Sequence, residues 1–276
     1  RNTKLYVNKK EGFIGTSLKK DEYVADCSDI DDIICFMQDG TMMVTKVDAK
    51  TFVGKNIIHA AVFKKKDKRT IYNMIYRDGT NGNTYIKRFA VTAITRDKEY
   101  SIGSGKAGTK VFYFSANPNG EAEKVTVYLR QVGSVKKLKF EVDFADQLIK
   151  GRGAKGNIVS KHAIKKVELK EEGVSTLKPR KIWFDNVVKR LNVDGRGDLL
   201  GDFRGEDRLL LITQDGIAKT IVPELTTRFD ENYVLMEKWN PQQPISVVYW
   251  EGERERYYVK RFLIEHENRE DHFISE

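Results

Sequence analysis

The chain has 276 residues, 40% of them hydrophobic, with 49 Lys+Arg against 40 Asp+Glu, a formal net charge of +9 and a pI near 9.3. Such a length can bury a core without covalent staples, and Cys27 and Cys35 alone cannot make a disulfide scaffold. No run approaches the 18 or more apolar residues of a membrane-spanning helix, and the first residues carry no apolar signal core, so the expectation is a soluble cytoplasmic protein. The chain begins without Met and reads as a fragment of something longer, cut at a domain boundary.

In chain order, strand-like runs cover residues 4–7, 33–37, 41–47, 57–63, 70–76, 85–91, 110–114 and 124–129. They continue over 156–160, 209–213, 217–222, 245–249 and 257–264. Each is short, rich in Val, Ile, Thr, Tyr and Phe, and bounded by Gly, Asp, Asn or Pro, as strands are. No stretch has the sustained apolar spacing of a long helix. The runs 33–37 and 209–212 are apolar on both faces, which suits inner strands packed between neighbouring sheets.

Between these runs a turn recurs: Glu11-Gly12, Asp39-Gly40, Asp78-Gly79, Asn119-Gly120, Asp215-Gly216 and Glu251-Gly252. A two-residue hairpin turn needs positive φ, which Gly supplies without steric cost, so Asp-Gly between two apolar runs is a strong hairpin signal. Successive glycines lie 28, 39, 41, 96 and 36 residues apart. A rhythm near 40 residues points to a radial array of small antiparallel sheets, and a circular repeat argues for one unit over 1–276. Cations follow most turns: Lys46, Lys87-Arg88, Lys124, Lys219 and Lys260-Arg261. In a radial array they would occupy equivalent rim positions, as a track for a phosphate backbone or as edge-strand charges against aggregation. From residue 150 to 196 there are 13 Lys/Arg against 5 Asp/Glu, whereas the last 26 residues hold 5 against 8. The net positive charge favours an anionic partner, and the acidic tail over 265–276 is expected to compete for the basic stripe.

A search for catalytic chemistry finds little. His59, His162, His266 and His272 are widely separated, without metal-ligand spacing to Cys or carboxylates, and Cys27 and Cys35 read as buried or idle thiols. There is no nucleophile elbow and no Gly-x-x-x-x-Gly-Lys-Ser/Thr phosphate loop. One motif stands out: Lys150-Gly151-Arg152-Gly153-Ala154-Lys155-Gly156. Three glycines let the backbone approach a ligand closely while three cations are offered from a compact loop, which suits a phosphate.

With these turns, cations and basic loop, the chain resembles, over essentially its whole length, the C-terminal domain of the A subunit of bacterial type IIA topoisomerases, DNA gyrase and topoisomerase IV. Asp215-Gly216-Ile217-Ala218-Lys219-Thr220 and Tyr257-Tyr258-Val259-Lys260-Arg261-Phe262 look like that family's blade cores, and Phe52-Val53-Gly54-Lys55-Asn56 is similar to the segment that ends a blade. The resemblance implies an all-β fold, a six-bladed β-pinwheel whose blades exchange strands and whose basic rim bends DNA. The gyrase-defining box, Gln-Arg-Arg-Gly-Gly-Lys-Gly, lies in the family's first blade; here the first blade after Gly12 has nothing similar, and the nearest match is the 150–156 loop in mid-chain. That departure favours a topoisomerase IV-like parent over a supercoiling gyrase. The resemblance further implies no catalytic tyrosine and no cofactor in this domain, and a parent enzyme that uses ATP and Mg. Its partners would be an A-subunit dimer and the ATPase B subunit, in the bacterial cytoplasm near the nucleoid.

The expected function is sequence-independent binding and bending of duplex DNA, with Lys46, Lys87, Arg88, Lys150, Arg152, Lys155, Lys161, Lys219, Lys260 and Arg261 as phosphate contacts. The alternative is a propeller-like scaffold for an acidic protein partner. A propeller enzyme comes third for want of an acid/base or metal constellation.

Overall fold

The computed structural model describes residues 2–133, 135–225, 227–229, 232–267 and 270–274. The chain divides into two compact units, Arg1–Leu177 and Lys178–Glu276. Among the described residues both are built from short strands, with one 3-10 turn at Phe144–Asp146.

The first unit contains four sheets. The first sets β1 (Asn2–Asn8), β2 (Phe13–Gly15), β3 (Glu22–Ser28) and β6 (Thr51–Phe52) in the order β3-β1-β2-β6. The second sets β4 (Asp32–Met37), β5 (Thr41–Lys46), β7 (Ile57–Phe63) and β10 (Tyr100–Ser101) in the order β10-β5-β4-β7. In the third, β8 (Ile71–Arg77) lies between β11 (Lys110–Asn117) and β9 (Thr84–Ala90), and the far edge of β9 takes both β14 (Ile149–Gly151) and β15 (Asn157–Ser160). The fourth is β13 (Lys139–Asp143), β12 (Glu121–Leu129) and β16 (Ile164–Ser175), with β12 central.

One rule runs through the first three sheets: the second strand of each hairpin is covered by chain that follows the next hairpin. Thus β6 follows β4–β5 and covers β2, β10 follows β8–β9 and covers β5, and β14–β15 follow β12–β13 and cover β9. Covering an edge this way satisfies backbone groups that would otherwise template aggregation.

The second unit holds β17 (Arg180–Asp185) between β18 (Arg190–Asn192) and β19 (Asp198–Phe203), with a bridge from Arg190 to Arg228 on the β18 side. Next come β20 (Leu209–Thr213), β21 (Ile217–Ile221), β22 (Tyr233–Lys238) and β25 (Glu270–His272) in the order β22-β20-β21-β25. The last sheet is the hairpin β23 (Ile245–Glu251) with β24 (Arg256–Phe262).

Burial follows sheet position. All six residues of β4 and all five of β20 are buried, as their unbroken apolar runs require. Phe36, Tyr72, Phe89 and Phe114 form an aromatic centre in the first unit, with Phe36 and Phe114 ring centres 4.6 Å apart. Separate clusters around Leu211 and Ile212 serve the second unit. Asp32, the one acid in β4, is buried and ion-paired to Arg96 at 2.6 Å.

Each of the thirteen expected runs overlaps a strand. The turns divide. Gly12, Gly40, Gly79 and Gly216 close hairpins at φ near +80°; a Cβ on Gly12 would lie 2.2 Å from the Gly54 carbonyl oxygen, so nothing larger fits there. Gly120 does not close a hairpin: it links β11 to β12, which belong to different sheets. The hairpins β12–β13 and β17–β18 in turn close without an Asp-Gly or Asn-Gly pair.

The acidic tail is not a solvated end. Within 265–276, residues 268, 269, 275 and 276 lie outside the described residues, but Glu270–His272 forms β25 on the edge of β21, and Phe273 is buried with its N–H donated to Gly216 O at 3.0 Å. Glu267 is also engaged, 3.3 Å from Arg208.

Candidate nucleic-acid interface

The basic loop sits on one edge of β9. β14 runs parallel to that edge, with Ile149 beside Arg88 and Gly151 beside Ala90, while β15 runs antiparallel to it, with Asn157 beside Ile86. The chain must therefore reverse over 152–156 and return to the strand it has just left. Gly156 makes this possible at φ +93°, where a Cβ would stand 2.3 Å from the Ile86 carbonyl oxygen.

Beneath the loop lies Lys87, 3% exposed. Its ammonium donates to the carbonyl oxygens of Arg152 and Ala154, both at 2.9 Å, and to that of Ile102. The Tyr76 hydroxyl donates to the Lys155 carbonyl oxygen at 2.7 Å. The Lys87 stem packs on aromatic surface, with Nζ 4.7 Å from the Phe89 ring centre. Burial, and secondarily the charge of Arg152, pushes the Lys87 pKa down to about 8.

The loop's own cations lie against tyrosine rings. The Arg152 guanidinium lies 4.2 Å over the Tyr100 ring, which Lys98 approaches from 5.3 Å. The Lys155 ammonium is 4.7 Å from the Tyr85 ring centre and 3.4 Å from Asp78 Oδ2. Lys150 is exposed on β14. The structure thus gathers Lys98, Lys150, Arg152 and Lys155 around one loop, backed by two tyrosine rings. Lys98 was not legible as a member, because only the fold brings residue 98 beside residue 152.

Two expected contacts are corrected. Lys87 and Arg88 are 3% and 2% exposed, because β9 is flanked by β8 on one side and by β14–β15 on the other and is no edge strand. Arg88 spends its donors inside: Nε to Asn73 Oδ1 at 3.0 Å, and Nη2 to Gly120 O at 2.8 Å and Thr176 Oγ1 at 3.1 Å. Neither side chain can reach a phosphate.

The remaining candidates are dispersed. Lys46 is exposed at the end of β5. Lys161 is exposed just after β15, on an open groove with Lys136, Lys137 and His162 above Leu129 and Phe140. The adjacent Lys136-Lys137 pair was a signal that the turn-based reading passed over. In the second unit, Lys219 is half-buried on β21, 6.0 Å from the Tyr233 ring centre. Lys260 is half-buried on β24 and donates to Phe273 O at 3.2 Å, which makes it a tie to the segment after β25, while Arg261 beside it is exposed.

Comparison with known proteins supplies the family. The A subunit of DNA topoisomerase 4 from Borreliella burgdorferi (strain ATCC 35210 / DSM 4680 / CIP 102532 / B31) is 29% identical over 172 residues, which are 62% of this chain and 25% of that protein. The chain thus spans about a quarter of that relative's length. Among solved structures, the C-terminal domain of DNA topoisomerase IV aligns with a TM-score of 0.43 at 13% identity, covering 95% of this chain and 94% of that one. The DNA gyrase A C-terminal domain aligns with a TM-score of 0.30 at 12% identity, over 87% of this chain and 100% of that one. The family model for the topoisomerase C-terminal domain of Bacteroidota matches residues 4–172 and 190–276, and the chain, all-β and built of small, mostly antiparallel sheets, belongs to that family.

Proposed function

We propose that this domain binds duplex DNA without sequence preference and bends it along its basic surface, presenting it to the breakage-reunion core of a type II topoisomerase of the topoisomerase IV kind. The observation that carries this reading is the 150–156 loop, whose carbonyls at 152, 154 and 155 accept from Lys87 and Tyr76 while Lys150, Arg152 and Lys155 are gathered on the same short stretch. Backbone phosphates attract such clusters whatever the base sequence. Bending 20–30 bp by 40–90° costs roughly 1–6 kcal/mol, so several contacts must act together, and Lys46, Lys98 and Lys161 are the further exposed candidates in the first unit. In the parent enzyme the partners would be the A-subunit dimer and the ATPase B subunit, in the bacterial cytoplasm, with ATP and Mg used outside this domain.

The test is binding of a random duplex at a series of salt concentrations. Neutralising about 6 to 10 phosphates gives a slope of log K against log salt of about −5 to −9. A slope shallower than about −2 would sink this reading. It would favour a protein-binding scaffold, for which the exposed face of β23–β24 speaks: Val248, Val259, Trp250 and Tyr257 pair across the hairpin, and Val259 is 79% exposed.

A further inference from the structure

Lys87 is an interior cation whose ammonium has no carboxylate in hydrogen-bond reach among the described residues; its three bonds go to carbonyl oxygens, two of them in the basic loop. Burying an ammonium is costly, and a residue that held only the sheet together could be apolar. The position of the three oxygens gives the charge a use. They belong to Ile102 in the segment after β10 and to Arg152 and Ala154 in the loop, and the Tyr76 hydroxyl holds Lys155 O beside them.

In a trans peptide the C=O and the following N–H point in opposite directions, and the described chain has no cis peptide. Drawing the oxygens of Arg152, Ala154 and Lys155 inward therefore turns the N–H groups of Gly153, Lys155 and Gly156 away from Lys87. Gly153 has open space around it. Outward main-chain N–H groups next to arginine and lysine side chains form the kind of concavity that holds a phosphate oxygen. A loop with glycines at 151, 153 and 156 would otherwise sample many conformations, and ordering it at the moment of binding would weaken the complex.

The geometry points to Lys87 as the positioning residue of this loop: an internal latch that never touches DNA but fixes the main-chain donors and the cationic side chains of residues 152–156 in the arrangement that meets a backbone phosphate. This rests on the DNA-binding reading for its ligand, whereas the latch itself can be tested without DNA.

The experiment compares the full chain with Lys87→Met, which keeps the apolar stem and removes the ammonium, and with Tyr76→Phe, which removes only the hydroxyl on Lys155 O. Trypsin provides the first readout, since Arg152 and Lys155 are themselves cleavage sites, and the 64–69 loop with its four lysines and one arginine serves as internal control for general loosening. Cleavage after Arg152 and Lys155, relative to that control, should rise at least tenfold in Lys87→Met and about threefold after Lys155 in Tyr76→Phe. Affinity for a random 25-bp duplex should fall about fivefold in Lys87→Met. Arg152→Ala, which weakens binding in the parent chain, should weaken it less than twofold further once Lys87 is Met.

Equal acceleration at the control loop, or no acceleration at either site in both variants, would overturn the latch. A released loop with unchanged duplex affinity would overturn its role in presenting donors to DNA. A parent chain that binds no duplex at low salt would remove the DNA-binding reading, and the cleavage ratio would still decide whether Lys87 holds the loop.

Discussion

Lys155 Nζ stands 3.4 Å from Oδ2 of Asp78, whose side chain is 2% exposed. Burial alone would raise the Asp78 carboxyl; hydrogen bonds from the Ser104 hydroxyl and N–H, with Lys155 behind them, outweigh it and hold the pKa below the usual carboxylate range. The loop cation is therefore also a structural partner, which a sequence motif could not reveal. Lys155→Ala should lower stability only slightly because the ammonium is half-exposed, and Arg152→Ala, which loses only its contact with the Tyr100 ring, should change it no more than that. Thermal melts of the two variants check this, and both should bind duplex DNA more weakly. Because the folded pKa of Asp78 is depressed, its contribution is present above the unfolded value near 4 and is lost as pH falls through the folded value.

Arg88 is expected to matter for folding alone. Removing its guanidinium would strip donors from Asn73, Gly120 and Thr176 and take a positive charge away from the buried Glu123. Arg88→Met should cost about 3–5 kcal/mol, the range for breaking a buried charged network on one side. Urea titration gives the loss, and duplex affinity per folded molecule should stay at the parent level. A folded Arg88→Met chain with selectively impaired DNA binding would contradict the interior assignment.

Lys87 predicts opposite trends with pH. Around it, Tyr76 is raised by burial and Lys155 by its bonds to Tyr85 and Asp78, whereas Lys87 is pushed down to about 8. Its folded pKa lies below the unfolded value of about 10.4; between the two the unfolded chain binds more protons, and this group's contribution to stability rises with pH. Loop protection should meanwhile fall, because the neutral amine has fewer protons to donate. Hydrogen exchange at Ala154, whose N–H donates to Gly151 O at 3.0 Å within the loop, should accelerate from pH 7 to 9.5 beyond the intrinsic rate in the parent chain and follow the intrinsic rate in Lys87→Met.

The tail should act through packing. Deleting residues after 264 would uncover the β21 edge and remove Phe273, so the second unit should be destabilised rather than freed for tighter DNA binding. Phe273→Ala alone should cost about 3 kcal/mol, the lower end for a buried Phe. A denaturant melt reporting on Trp239, whose indole N–H reaches Ile264 O at 3.0 Å, would detect it.

What the sequence disclosed follows from which forces act locally. Strands such as β4 and β20 are written in nearly unbroken apolar runs, and five of the six turn glycines lie in hairpin turns. β16 is not legible because half of Ile164–Ser175 is charged and most of it exposed, so its place depends mainly on pairing with β12. β6, β10 and β25 are two or three residues long and exist because a distant edge accepts them. The site divides the same way: the glycines and cations of 150–156 could be read directly, while the inward turn of Lys87 depends on which strands flank β9, a fact of topology absent from any local window.

The covering of each hairpin by chain from beyond the next one has a consequence for synthesis. As the polypeptide leaves the ribosome, the first sheet cannot be finished until residue 52 has emerged, the second until residue 101, and the third until residue 160. At about 5–20 residues per second, each sheet spends seconds with an open edge. A stall between β9 and β10 would leave β5 unpaired on one side, and a neighbouring nascent chain on the same message carries the same missing strand. Crowded polysomes would therefore favour exchange between copies, and slow codons placed far enough beyond residues 52, 101 and 160 for those strands to have emerged would suppress it.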